Sequence, residues 1–71
     1  MTAIERITQL ANQRQLTVRN LPGMMKVLST DYKTMVEFMD LVQDDHIARL
    51  AESSTVVLDD NAGHFYMRVW R

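Results

Sequence analysis

The chain of 71 residues contains no cysteine, which excludes disulfides and every thiolate metal site. A chain this short buries only about 60% of its unfolded surface, so its core alone gives marginal stability. Small domains without disulfides commonly gain stability from a metal ion or a partner chain, and we therefore expect a homodimer. The absence of cysteine also fits a reducing compartment, and we expect a cytoplasmic protein.

Glycine, proline and long apolar segments are also scarce. Two glycines cannot form a glycine-rich phosphate loop. No segment approaches the roughly 20 apolar residues that span a bilayer, and the N-terminal sequence lacks the pattern of a signal peptide. Ser53, His46 and Asp45 could be combined into a triad, but no nucleophile elbow accompanies them. We expect no enzymatic activity, no cofactor and no metal site.

Charge is small in total but unevenly distributed. The net charge is −1. Residues 1–33 hold five basic and two acidic residues, which gives +3, whereas residues 34–71 hold three basic and seven acidic residues, which gives −4. This asymmetry is typical either of a dipolar surface that meets a charged partner or of scattered solvated charge.

The N-terminal segment 2–15 has the pattern of an amphipathic helix. Thr2 and Glu5 have the spacing of a capping box. A narrow apolar stripe follows at helical spacing, formed by Ile4, Ile7, Leu10 and Ala11.

The strongest helical pattern covers residues 29–43, "STDYKTMVEFMDLVQ". Ser29, Thr30 and Asp31 are three candidate N-caps. A wide apolar arc follows, formed by Tyr32, Met35, Val36, Phe38, Met39, Leu41 and Val42. Such a helix needs neighbours on more than one side, so we expect either a central core helix or a core helix that also contributes to a dimer interface. Asp44 and Asp45 can cap a further short helix that would direct Ile47, Leu50 and Ala51 inward, or the preceding helix can continue through this segment.

The segment "LTVRNLPG", residues 16–23, resembles the first-strand fingerprint of RNA-recognition modules, and "GHFYMRVW", residues 63–70, faintly resembles their aromatic second fingerprint. The module requires a helix between its first two strands and another between its last two. Here a helix of about 15 residues precedes the first fingerprint, and no second helix follows the other. We therefore interpret 16–19 as a short extended segment and Pro22 as the start of another helix.

The C-terminal segment 54–70 has the pattern of a β-hairpin. Residues 55–58 are rich in β-branched side chains, and residues 59–63, "DDNAG", are turn-forming rather than a calcium loop. In the second strand, Phe65, Met67 and Val69 share one face. His64, Tyr66, Arg68 and Trp70 share the other, which carries more aromatic side chain than a solvated face usually does.

These patterns predict one small α+β domain over residues 1–71. Three to four helices within 2–52 would be followed by a C-terminal antiparallel β-hairpin at 54–70. We expect a non-enzymatic protein-binding regulator, such as an inhibitor or adaptor, which masks a partner's surface. Its binding residues would be Phe38, Tyr66, Arg68 and Trp70, since aromatic residues and arginine dominate interface energetics. The small size is typical of accessory proteins of phages and mobile elements.

The alternative is a DNA-binding regulator of winged-helix type, because helices followed by a hairpin are its elements in the right order. Residues 37–53, which would contain the recognition helix, hold five acidic residues and one arginine. Phosphates would repel such a helix, so this alternative requires an unusual mode of docking.

Overall fold

A computed structural model of the chain describes residues 1–59 and 63–71. In this part of the chain the elements are, in order, α1 (Ala3–Gln13), β1 (Thr17–Leu21), β2 (Met24–Ser29), α2 (Tyr32–Asp44), a 3-10 turn (Ala48–Leu50), β3 (Val57–Asp59) and β4 (His64–Trp70). The strands form one antiparallel sheet in the order β1-β2-β4-β3. Both helices pack on one face of this sheet.

The predicted fold of three to four helices followed by a C-terminal β-hairpin is wrong. The described residues form two α-helices and one 3-10 turn, and a β-hairpin (β1–β2) lies within the region 2–52 that was expected to be helical. Strand β4 pairs with β2 along six residue pairs and with β3 along three, so the C-terminal strands are part of a larger sheet. The predicted turn at 59–63 falls partly on residues 60–62, which lie outside the described residues.

The turn between β1 and β2 explains why residues 16–29 are not helical. Leu21 pairs with Met24, which leaves Pro22 and Gly23 as a two-residue loop. Gly23 has φ +75°, the conformation that the third position of a type II turn requires, and Pro22 occupies the favoured second position. The expected helix start at Pro22 is therefore wrong. Beyond the turn, Met25 and Val27 are fully buried at the alternating spacing of a strand.

Both predicted helix starts are confirmed by their caps. The Thr2 hydroxyl accepts a hydrogen bond from the Glu5 backbone N–H at 3.1 Å, and the Glu5 carboxylate accepts one from the Thr2 backbone at 3.0 Å. At α2, the Asp31 carboxylate accepts hydrogen bonds from the hydroxyl and the backbone N–H of Thr34. These bonds hold the pKa of each carboxyl below its ordinary value.

Helix α1 ends in a Schellman motif with an unusual residue at its left-handed position. Gln15 has φ +59°, the backbone N–H of Gln15 donates to Asn12, and that of Leu16 donates to Ala11 at 3.0 Å. Glycine is the common residue at this position, because it has no Cβ to clash with the following carbonyl. Leu16 packs against the core and turns the chain directly into β1.

The core lies between the helices and the sheet. It consists of Ile7, Leu10 and Ala11 from α1, Met35, Phe38 and Val42 from α2, Ala48 from the 3-10 turn, and Met25, Val27, Met67 and Val69 from the sheet. The expectation that Ile47 and Leu50 point inward is wrong, because they are 37% and 76% exposed while Ala48 is fully buried. Of the described helices, neither is long and apolar enough to cross a membrane.

Candidate functional site

The face of the sheet opposite the two helices is not covered by either of them. Cross-strand partners in an antiparallel sheet lie on the same face, so the register identifies its members once the buried face is known. Met25 and Val27 face the helices, as do their β4 partners Val69 and Met67. The residues between them form what we call the open face: Thr17, Arg19 and Leu21 of β1, Met24, Lys26 and Leu28 of β2, and Tyr66, Arg68 and Trp70 of β4.

The middle row of the open face consists of three cations. Arg19 pairs with Lys26, and Lys26 pairs with Arg68, so the three positions cross β1, β2 and β4 in one line. Adjacent strands lie about 4.8 Å apart, which keeps these positive groups close together. None of the three forms an ion pair within the part of the chain that the structure describes, where the only such pair joins Arg6 to Asp45.

Rows of apolar and aromatic residues lie on both sides of these cations. On one side Leu21, Met24 and Trp70 are register partners, and on the other Leu28 lies between Thr17 and Tyr66. Leu21 and Trp70 are 38% and 37% exposed, and both neighbour Met24 in the sheet. The open face therefore offers charge at its centre and apolar contact area at its margins.

Contacts between cations and rings fix the side chains of the open face. The Lys26 ammonium lies 4.7 Å from the centroid of the Tyr66 ring. The Arg68 guanidinium carbon lies 5.6 Å from the centroid of the Trp70 ring. Both distances are within the range in which a ring quadrupole attracts a cation. These contacts reduce the rotamer freedom that binding would otherwise have to remove.

The backbone under Arg68 and Trp70 is also held in place. The segment before β3 follows the other edge of β4: the Trp70 N–H donates to the Glu52 carbonyl, the Ser54 N–H donates to the Arg68 carbonyl, and the Arg68 N–H donates to the Ser54 hydroxyl, each at 2.9 Å. The Nε atom of Arg68 is buried and has no hydrogen-bond partner among the described residues.

Helix α2, on the opposite side of the sheet, carries more acidic than basic residues. Helix α2 carries Glu37, Asp40 and Asp44 at exposed positions, whereas β1, β2 and β4 place no acidic residue on the open face. The excess of basic residues in the first half of the sequence is thus concentrated partly on the open face through Arg19 and Lys26. The net charge of −1 conceals this separation.

The structure brings three of the four predicted binding residues together. Tyr66, Arg68 and Trp70 are consecutive members of the open face on β4. Phe38 is 1% exposed in the core between α2 and the sheet, so its selection as a binding residue is corrected. Its ring fills the interior because the buried side of α2 is centred on Met35, Phe38 and Val42.

Sequence reasoning missed Arg19 and Lys26 as members of the site. Their positions on the open face follow only from the pairing of β1 with β2 and of β2 with β4. Arg19 lies in the segment that was expected to be extended, and Lys26 lies where a helix was expected. For β1, the sequence feature that could have placed Arg19 on this face is its two-residue spacing from Thr17 and Leu21, which alternate with Val18 and Asn20. Within the described residues, no group of three or more histidine or carboxylate side chains is arranged to hold a metal ion.

Comparison with protein-family models, with curated proteins and with solved structures finds no match to this chain. The likeness of 16–22 and 63–70 to RNA-recognition fingerprints is also not supported by the topology. β1 and β4 carry the two segments, and β2 lies between them. The interpretation of function therefore depends on the open face itself.

Proposed function

We propose that the protein is a small non-enzymatic regulator that binds another protein through its open face and masks the surface it binds. The observation that carries this proposal is the row Arg19, Lys26 and Arg68 on the sheet face away from the helices, next to the exposed Leu21 and Trp70. Charged and aromatic groups that converge on one rigid surface are typical of interfaces, in which a few anchors supply most of the binding energy.

The chemistry of the open face defines the partner it fits. Three cations select a segment that carries carboxylates, and Leu21, Met24 and Trp70 select apolar side chains beside them. Electrostatic attraction accelerates encounter and excludes basic partners, while burial of Trp70 contributes affinity. An acidic, partly apolar protein surface meets both conditions.

The same features favour a protein over a nucleic acid. Nucleic-acid bases stack on free aromatic faces. Here Lys26 already lies over the Tyr66 ring, and Arg68 lies over the Trp70 ring. The acidic residues of α2 give no support to the winged-helix alternative, which needs a basic recognition helix.

The experiment that tests this proposal is capture from a lysate of the native source, with and without nuclease, followed by binding measurements on the purified partner. Two substitutions in the open face, Lys26→Ala and Trp70→Ala, are paired with two outside it. Lys33→Ala removes an exposed lysine from α2 with the same change of net charge, and Leu50→Ala removes an apolar side chain that is 76% exposed.

We expect to capture a partner protein that is retained after nuclease treatment. Each open-face substitution should reduce the affinity for this partner about tenfold or more, and neither control substitution should change it. Circular dichroism of each variant should match that of the unsubstituted chain. Capture that is lost on nuclease treatment would overturn the proposal, as would equal losses for Lys26→Ala and Lys33→Ala.

The predicted homodimer loses its main argument in this structure. The wide apolar arc of α2 was expected to supply the dimer interface, but Met35, Phe38 and Val42 are buried within the same chain. Homodimerisation stays a prediction, which sedimentation equilibrium checks. The cytoplasmic location and the origin among phage or mobile-element proteins likewise stay expectations from the sequence.

A further inference from the structure

A depression of about 270 Å³ lies at the end of the open face where α1 passes into β1. Arg19, Thr17 and Leu28 of the open face line it, together with Ser29 of β2 and His64 of β4. Gln15, Leu16 and Thr30 from the adjoining loops complete the wall. Its size is just below the range of pockets for drug-sized ligands, so it suits one side chain or a small ion rather than a large cofactor.

The lining of the depression is rich in hydrogen-bond donors. Arg19 contributes a guanidinium, Gln15 an amide, and Thr17, Ser29 and Thr30 contribute hydroxyl groups. His64 contributes an imidazole, whose Nδ1 atom is buried and has no hydrogen-bond partner among the described residues. Among the residues whose side chains the structure describes, no carboxylate lines the depression. An acceptor with negative charge satisfies this arrangement better than a cation or an apolar group.

One further observation favours a built site over a surface irregularity. Leu28 is 6% exposed and forms an apolar floor, which lowers the local dielectric and strengthens charge-assisted hydrogen bonds above it.

We propose that this depression is an oxyanion site, in which Arg19 is the charged donor and Thr17 and Gln15 are neutral donors. This inference rests on the proposed function for its natural occupant, which is the carboxylate or phosphate of one side chain on the docked partner. Arg19 belongs both to the cation row and to the depression, so the site continues the open face. The partner's anionic side chain would enter there while its apolar neighbours lie on Leu21, Met24 and Trp70.

The test uses the protein alone, so its outcome does not depend on any partner. Sodium acetate and inorganic phosphate are titrated separately in ¹H–¹⁵N NMR spectra, with sodium chloride at matched ionic strength as the reference. We expect saturable shifts confined to residues 15–19, 28–30 and 64, with one of the two anions preferred. A preference for acetate assigns a carboxylate as the natural group, and a preference for phosphate assigns a phosphorylated side chain.

Arg19→Gln should reduce the affinity for the preferred anion about tenfold, as expected for the loss of a hydrogen bond to a charged group. Arg14→Gln is the matched control, because Arg14 is exposed nearby, does not line the depression and carries the same charge. Thr17→Val provides a second variant of the site that keeps every charge, and it should weaken binding by a smaller factor. Equal effects of Arg19→Gln and Arg14→Gln, or shifts that chloride reproduces, would overturn the inference.

The two proposals can fail separately. Absence of anion binding together with capture that depends on Lys26 and Trp70 would remove the oxyanion site and leave the docking function intact. The opposite result is also possible: Arg19→Gln weakens anion binding, but no protein partner survives nuclease treatment. The oxyanion site would then stand, and its assignment to a side chain of a protein partner would be wrong.

Discussion

At the scale of single residues, the conformation of Gln15 makes a prediction that separates stability from binding. A left-handed residue with a Cβ costs about 1 to 2 kcal/mol, and glycine avoids this cost. Gln15 has φ +59° at the end of α1. We expect Gln15→Gly to raise the free energy of unfolding by about 0.5 to 1 kcal/mol, after the greater freedom of glycine in the unfolded chain is included. Urea denaturation measures this change.

Gln15→Ala is the control, because it removes the amide and keeps the Cβ. It should show no gain in the free energy of unfolding, and both variants should weaken anion binding in the depression. An equal gain for alanine and glycine would mean that the Gln15 side chain, rather than its backbone conformation, limits stability.

At the scale of elements, the hairpin β1–β2 depends on the turn at Pro22 and Gly23. A Cβ placed on Gly23 would meet no atom within 4 Å, so its cost comes from the backbone conformation alone. The Gly23 carbonyl also accepts a hydrogen bond from the Arg71 N–H at 3.1 Å, which ties the turn to the end of β4. We expect Gly23→Ala to lower the free energy of unfolding by about 1 kcal/mol.

A D-alanine at position 23, introduced by chemical synthesis of the chain, is the mirror-image control. It prefers the positive φ that the turn requires, and it should leave stability unchanged or raise it by up to about 1 kcal/mol. Thermal unfolding of the three chains ranks them. Equal losses for both alanine enantiomers would show that added volume, and not backbone handedness, causes the destabilisation.

The elements also show why part of this fold could be predicted from the sequence. The two helices have caps formed by neighbouring residues, such as Thr2 with Glu5, so the local sequence determines their starts. Residues 24–28 are a short apolar run that fits a helix and a strand equally well. Their strand conformation depends on pairing with β4, which lies about 40 residues later in the chain. The composition of the open face depends on strand pairing in the same way, because only its β4 residues were predicted from the local sequence pattern.

At the scale of the whole molecule, substitution of a large side chain by alanine should affect the core and the open face differently. Phe38 is 1% exposed and Trp70 is 37% exposed, although both are large aromatic residues. Phe38→Ala should lower the free energy of unfolding by about 3 to 5 kcal/mol, which is a large part of the stability of a small domain. Trp70→Ala should retain the folded circular dichroism spectrum and a cooperative thermal transition. Unfolding of Trp70→Ala would instead place Trp70 in the core and remove it from the binding surface.

Acid should loosen the whole molecule through the carboxylates that hold its elements together. Asp45 accepts hydrogen bonds from the backbone N–H groups of Ala48 and Ile47 at 2.8 and 3.1 Å, and from the Arg6 guanidinium at 3.1 Å. It thereby connects α1 to the 3-10 turn across 39 residues of sequence. The Ala48 N–H, aided by Arg6, holds the pKa of Asp45 below its ordinary value of 3.8, despite partial burial.

A carboxyl whose pKa is lower in the folded state stabilises the fold at every pH above its unfolded pKa, and this stabilisation is lost as the pH falls through the folded value. We therefore expect the melting temperature to be nearly constant from pH 7 to about 5 and to fall steeply below about 4. Asp45→Asn should lower the melting temperature at pH 7 and flatten the decline in acid, because the protonated and amide forms both lack the charge. Asp44→Asn, at an exposed carboxylate one residue away, should leave the acid profile unchanged. An identical acid profile for Asp45→Asn and the unsubstituted chain would show that Asp45 does not link α1 to the 3-10 turn in solution.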